Sequence, residues 1–363
     1  MNEKTKLKIT TITPVTIGSG VELSPYADYI VDDNQICFID KKRMQDKILA
    51  KGDQYLDNYI YGVANGIDNN RSEFDLKGFL LNNKIVEDIN EAISSRCPFT
   101  TSTPDSKLPI KGMIKSPLSE PYFPGSSIKG ALKTVLMYNW LKTNRKANET
   151  IEKVINGGNF NWLEKEFEYR ELQEGKTIPN TIRQVTDSKL LPKEANVVVD
   201  CYRKMPIRFE CIAKNNTSEF ELTLEDYKWT DLAKQANKYV TDVLERKFEL
   251  IEKDENLTRY YNHLADFEEK IIETNDDTAY IRIGFGKGYY LNSLGIAIYD
   301  YVSQKGKEDL FDKFEKFVND NFARKDKYGN KQQIDLEKFP MTRLFVSKTQ
   351  EPLGWVKIEK QDC

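Results

Sequence analysis

Apolar residues recur at two spacings along this chain, and the switches between them mark out its elements. Leu7, Ile9, Ile12 and Val15 alternate with polar neighbours until Gly18 and Gly20 break the pattern, which predicts a first strand running into a flexible loop. Residues 29–31 and 36–39 flank the polar run 32–35 and read as a hairpin, with Asp32 and Asp33 as turn formers. From 41 to 96 the spacing becomes helical: Met44, Ile48 and Leu49 mark one segment, and Ile85, Ile89 and Ile93 recur at i, i+4 and i+8 in another. These predict a helical insertion after the hairpin. Six of the 13 prolines then fall between Pro98 and Pro124, predicting a long extended connection of a kind that is often functional.

That connection leads to a helix start. Pro121 and Pro124 keep the chain out of helix up to Gly125, so Ser126 or Ser127 is the expected N-cap. Ile128, Leu132, Val135 and Leu136 then form one apolar stripe, while Lys129 and Lys133 share another face. Unsatisfied N–H groups, two hydroxyls, the positive end of the helix dipole and two ammonium groups together suit a phosphate. The alternative is an ordinary capped helix with two solvated lysines. Charge favours the anion site: the 363 residues carry a net charge of −3, yet Lys107, Lys111, Lys115, Lys129, Lys133, Lys142 and Arg145 are opposed locally only by Glu120.

Further along, 146–180 read as surface helices around the glycines at 157 and 158. Residues 182–185 form a short strand entering a polar loop at Thr186, Asp187 and Ser188. Two runs, 196–214 and 219–224, read as a strand meander, with Arg203 and Lys204 before Pro206 and a turn at Asn215 and Asn216. Helices are expected over about 227–252 and 257–273 from the apolar spacing. A domain boundary near 195 would separate an N-terminal domain, 1–195 with its insertion at 41–96, from a C-terminal domain, 196–363.

Residues 280–302 hold the second informative stretch. A strand ends at Ile283, a turn holds Gly284, Gly286 and Gly288, and a helix with Leu291, Leu294 and Ile298 on one face follows. Such a turn lets backbone N–H groups approach phosphate, Arg282 and Lys287 add charge, and Phe285, Tyr289 and Tyr290 offer ring faces to bases. The dinucleotide fingerprint fails because Tyr289 stands where its third glycine belongs. A phosphate-binding loop of the G-x-x-x-x-G-K-[ST] type fails because Gly130 is followed by Ala131 and Leu132. The chain closes with a helix marked by Leu310, Phe314, Phe317 and Val318, then two strands around a turn at 351–354, expected to join the edge of the second domain's sheet.

Residue counts narrow the chemistry. His263 is the only histidine and sits in a helical stretch, so mechanisms that need two histidines are excluded, while carboxylate chemistry with a divalent ion stays open. The five cysteines are widely spaced and form no C-x-x-C, which indicates neither a disulfide framework nor a zinc site. No apolar run reaches membrane-spanning length and the first residues lack a signal's apolar core, so the expected location is the cytoplasm.

TPVTIGSG, YFPGSSIKGALKT, VVDCYRKMPIRFE, IRIGFGKGYY, and TRLFV with EPLGW, in that order, resemble the repeat-associated mysterious proteins (RAMPs) of CRISPR systems. Within that family the resemblance is to the subunit that caps the 3′ end of the guide RNA (crRNA) in the type III-A (Csm) effector complex. It implies an α+β fold of tandem ferredoxin-like (RRM-like) domains with helical insertions and a glycine-rich loop. It also implies crRNA, backbone RAMP subunits and the small subunit as partners, host nucleases recruited for 3′ trimming, and no cofactor. RNA-backbone contact would fall to Ser126, Ser127, Lys129 and Lys133, and to Arg282, Gly284, Phe285, Gly286, Lys287 and Gly288, with Gly18, Ser19 and Gly20 as weaker candidates. The expectation is one groove built from both turns. The target-cutting loop aspartate of the backbone subunit is not transferred to Asp32 or Asp33. Reading the chain as a non-catalytic RNA-binding subunit leaves two alternatives, an endoribonuclease of the same superfamily that processes crRNA precursor and a nucleotide-cofactor enzyme.

Overall fold

A computed structural model describes residues 2–69, 74–103, 107–157, 165, 167, 181–202, 207–251, 255–286, 294–306, 308–323, 329, 331–336 and 344–361. In chain order the strands are β1 (Asn2–Thr11), β2 (Gly18–Leu23), β3 (Tyr29–Asp32), β4 (Gln35–Ile39), β5 (Ile93–Thr100), β6 (Ile110–Met113), β7 (Ile182–Val185), β8 (Asn196–Tyr202), β9 (Ile207–Ile212), β10 (Thr217–Glu225), β11 (Thr278–Arg282), β12 (Phe345–Val346) and β13 (Trp355–Lys360). The helices are α1 (Lys41–Lys51), α2 (Asp53–Asn69), α3 (Leu76–Asn82), α4 (Gly125–Thr143), α5 (Arg145–Ile155), α6 (Trp229–Ile251), α7 (Thr258–Ile272), α8 (Gly295–Lys305) and α9 (Glu308–Phe322).

Strand alternation builds the first sheet. Leu7 and Ile9 of β1, Phe220, Leu222 and Leu224 of β10, and Val356 and Ile358 of β13 all point into one core, and the intervening lysines and glutamates point away. The order is β11-β13-β1-β10-β7, with every neighbouring pair antiparallel. Leaving β11 aside, β1, α4, β7, β10, α6 and β13 follow the ferredoxin-like βαββαβ path, and β13 is its fourth strand. The fold is α+β, as the family resemblance implied. β13 is not the edge strand expected from the sequence, because it lies between β1 and β11. β12 pairs with β8 instead.

The second sheet has the order β2-β6-β9-β8-β5-β4-β3, with β12 off that path. A buried ion pair crosses it: Arg208 Nε donates to Asp200 Oδ1 at 2.7 Å, and Arg208 Nη1 donates to the Tyr29 hydroxyl at 3.0 Å. Burial pushes the Tyr29 hydroxyl up to about 12, so it stays protonated and joins β3 to β9 through that bond. Strands from both sides of residue 195 share each sheet. β1 pairs with β10 and β13, and β5 pairs in parallel with β8, so strand pairing has no break at the expected boundary.

Local readings fare unevenly. The turn at Asp33 and Asn34 has left-handed backbone, with φ of 45° and 57°, as a two-residue hairpin requires. The expected helix through Ile85, Ile89 and Ile93 does not form: 89–92 is one 3-10 turn, and Ile93 begins β5. Glu91 closes that short turn by accepting from Asp88 N–H in a capping box, and the chain then extends toward Pro98. The proline-rich connection begins within β5 and contains β6. α4 starts two or three residues earlier than expected, at Gly125, with Pro124 in place of Ser126 or Ser127 as its N-cap, and Ile128, Leu132 and Val135 are fully buried as the spacing predicted.

Candidate nucleic-acid interface

β11 delivers the chain to the glycine turn. Ile283 N–H donates to the Gly354 carbonyl at 2.8 Å, and Phe285 N–H donates to the Thr16 carbonyl at 2.9 Å. Gly284 has φ of +76°, and a Cβ there would stand 2.1 Å from the Thr16 oxygen. Gly286 has φ of +81°, and its Cβ would stand 2.5 Å from Leu344 Cδ2. Gly284 therefore requires glycine for conformation and for space, and Gly286 for conformation. Phe285, held between them, is 42% exposed and rests on buried Phe209 with ring centroids 4.8 Å apart. The two rings are tilted by 43°, so Phe285 is partly packed and partly open to solvent.

Thr16 leads directly into Gly18, Ser19 and Gly20, the exposed start of β2, and Ser19 Oγ donates to the Gly112 carbonyl at 3.0 Å. The fold thus brings the weaker candidate segment to the base of the glycine turn. Lys287 and Gly288, with Tyr289, Tyr290 and Leu291, lie outside the described residues, as do Arg203 and Lys204. Arg282 is not at the surface. It is 6% exposed, its Nε donates to the Leu353 carbonyl at 2.7 Å, and burial draws its pKa down. Its place is beneath the turn, as a brace against the 353–354 backbone.

At α4 the chemistry differs from expectation. Gly125 N–H donates to Asp187 Oδ1 at 2.7 Å, so a carboxylate of this chain already occupies the first position at the helix N-terminus. Gly125 is required there, since its Cβ would stand 2.3 Å from the Val185 carbonyl. Ser126 is exposed and Ser127 half-buried, both within the first turn and not at the cap. Lys129 is half-buried and donates to the Arg183 carbonyl at 3.3 Å, and Lys133 is half-buried and also engaged. Around them the basic cluster is paired: Lys111 with Glu22 at 3.1 Å, Lys115 with Glu210 at 2.6 Å and Lys142 with Asp300 at 2.7 Å.

β7 and β11 both run parallel to β1, so the α4 start and the glycine turn emerge at the same end of the first sheet. They do so at opposite edges, four inter-strand spacings or on the order of 20 Å apart, and among the described residues no hydrogen bond or ion pair joins them. The face of this sheet turned away from the core is self-neutralised by Lys4–Glu221 at 2.9 Å, Lys8–Glu359 at 2.7 Å and Lys357–Glu359 at 2.7 Å. An RNA strand gains less from a face on which Lys4, Lys8 and Lys357 already hold carboxylates.

Asp32 is held by Lys77 at 2.7 Å and Arg96 at 3.3 Å; the Lys77 bond, seconded by Arg96, lowers its pKa, which suits a structural ion pair in the hairpin. His263 lies half-buried on α7 with Nε2 3.3 Å from the Thr349 carbonyl. Sequence reading missed Phe209, Thr16 and Asp187. Thr16 sits inside the TPVTIGSG run, Phe209 inside the VVDCYRKMPIRFE run and Asp187 in the polar loop at 186–188, but nothing local pairs Phe209 with Phe285 or Asp187 with Gly125.

Residues 8–291 match the profile of the RAMP superfamily. This chain is a member of the RAMP superfamily. Among its relatives, the CRISPR system Cms protein Csm5 of Methanocaldococcus jannaschii is 26% identical over 97% of this chain and 88% of its own length. The protein of that name from Streptococcus thermophilus is 27% identical over 60% of this chain and 63% of its own. A crystal structure of T. onnurineus Csm5 superposes with a TM-score of 0.61 at 18% identity, covering 96% of this chain and 99% of that one. A chain from the cryo-EM structure of a type III-A Csm–crRNA–target RNA ternary complex superposes with a TM-score of 0.66 at 18% identity, covering 98% of this chain and all of that one. At that identity the superpositions bear on the fold, and the RAMP fold is what they share. No helix among the described residues of this RAMP protein is long and apolar enough to cross a membrane.

Proposed function

We propose that this RAMP protein is a non-catalytic RNA-binding subunit of a type III-A Csm interference complex, capping the 3′ end of the crRNA and needed for its 3′ maturation. Relatives named Csm5 and the likeness to a chain of a Csm–crRNA–target RNA complex support the assignment to that assembly. One observation carries the RNA-binding part: an exposed Phe285 ring and the exposed glycines of β2 meet at the end of the sheet where α4 also begins. A ring face stacks any base, and backbone N–H groups hold phosphates without reading sequence, so binding would be tolerant of guide sequence.

The test is direct. Purified chain titrated with labelled crRNA should bind with an affinity that falls steeply with salt, and the RNA should remain uncut with or without magnesium. Cleavage abolished by one substitution would make the chain an endoribonuclease instead, and saturable binding of a nucleotide cofactor would point to the third reading. Salt-insensitive binding would remove the phosphate contacts on which the proposal rests.

A further inference from the structure

The helical insertion has its own small core, in which Met44, Ile48, Leu76 and Leu80 are buried and Tyr55, Leu56 and Tyr59 of α2 pack against them. α2 is held closely on that side. A Cβ at Gly62 would stand 2.3 Å from the Phe74 ring and one at Gly66 would stand 2.5 Å from the Tyr26 ring, so both glycines let the helix seat on aromatics. The opposite face is apolar where solvent chemistry would favour polar side chains. Ile60 is 54%, Tyr61 72% and Ile67 58% exposed, and Ala64 is exposed between them.

These residues form a line. Asp53, Asp57, Ile60, Ala64 and Ile67 follow one another at steps of four, three, four and three, the spacing that keeps a single seam of a helix turned toward a partner helix. The first two are exposed carboxylates, the remainder is apolar, and a small residue at its middle permits close approach. α2 contains no lysine or arginine, and Asp53 and Asp57 would repel a phosphate backbone, so the seam is unsuited to RNA. Its complement is a protein surface.

We propose that this seam docks a helix of another protein subunit, one whose aliphatic stripe covers Ile60, Ala64 and Ile67 and continues into lysine or arginine opposite Asp57 and Asp53. The inference rests on the reading of this chain as a subunit of an RNA-guided complex. Burial of Ile60 and Ile67 at the centre of such a contact, with Tyr61 at its margin, supplies the affinity, and the charges at one end fix the direction in which the partner helix lies.

The experiment co-expresses the chain, its guide RNA and the remaining subunits of the complex, and captures the assembly through a tag on another subunit. Ile60→Glu with Ile67→Glu should lower the amount of chain captured about tenfold or more, while the purified variant binds crRNA within about twofold of wild type and keeps its melting temperature. Asp53→Lys with Asp57→Lys should also lower capture. Normal capture of both variants beside a normal wild type would overturn the seam alone. A large loss of melting temperature or of crRNA binding in the isoleucine variant would overturn it too, since the seam would then be packed within this chain or turned to RNA. A wild-type dimer that becomes monomeric in the isoleucine variant would replace the partner helix with a second copy. Absence of the wild-type chain from the captured assembly would instead overturn the functional reading, and the inference with it.

Discussion

Phe285 is the residue on which function and packing separate most cleanly. Its ring rests on Phe209, yet the residue is 42% exposed, so removing it costs less core packing than removing a buried ring would and takes away the surface proposed to meet a base. Phe285→Ala should weaken crRNA binding by about 1–3 kcal/mol, with the slope of affinity against salt unchanged, because stacking releases no counterions. Fluorescence anisotropy titrations at several salt concentrations measure both quantities, and an altered slope would mean that the substitution has disturbed phosphate contacts. Glu91 supplies a prediction about stability. The Lys47 ammonium, followed by the Asp88 and Glu87 N–H groups, holds its carboxyl at about 2, below the ordinary 4.5. A depressed carboxyl stabilises the fold above its unfolded pKa, and that stabilisation is lost as pH falls from about 4.5 toward about 2. The melting temperature should fall through this window, and Glu91→Gln should lower it at neutral pH while making the fall shallower. Parallel slopes for both proteins would show that the contact contributes nothing in solution.

Among the elements, the glycine turn is the one whose geometry is least forgiving. Gly284→Ala places a methyl group against the Thr16 carbonyl in a backbone conformation that L residues rarely adopt, and should destabilise the protein by at least about 2 kcal/mol. Urea unfolding measures it, and a loss below 0.5 kcal/mol, well under that ~2 kcal/mol, would mean that the turn relaxes freely. This turn was legible in the sequence as strand, glycines and helix, and so was α4, whose Ile128, Leu132 and Val135 are buried at the spacing that announced them. The N-cap was not legible, because the group that satisfies Gly125 N–H is Asp187, from a loop 62 residues away. Ile93 misled for a related reason. Three isoleucines at helical spacing cannot reveal that β4 waits to pair with the last of them, Ile39 opposite Ile93.

At the scale of the whole molecule the account depends on pairings between distant parts of the chain. β1 lies between β10 and β13, more than 200 residues downstream, and no local pattern of apolar residues encodes that choice. A fragment of residues 1–195 therefore leaves β1 without either neighbour and should show no cooperative thermal transition by circular dichroism, whereas a sharp transition would support the boundary near 195 as a true division. The same long-range pairing carries the candidate interface, since Thr16 follows β1 and the glycine turn follows β11, and only the assembled sheet brings Phe285 N–H to the Thr16 carbonyl, two residues before Gly18. Motif order gave the family from the sequence, while the relation between the two turns, at one end of a sheet but at opposite edges, required the fold. The central claim is that the guide's 3′ portion passes over this end. It is tested most directly by replacing Phe285 with a photo-crosslinking amino acid in the assembled complex and mapping the crosslinked nucleotides. The account predicts adducts within the 3′ portion of the crRNA; adducts confined to the 5′ portion, or to protein alone, would contradict it.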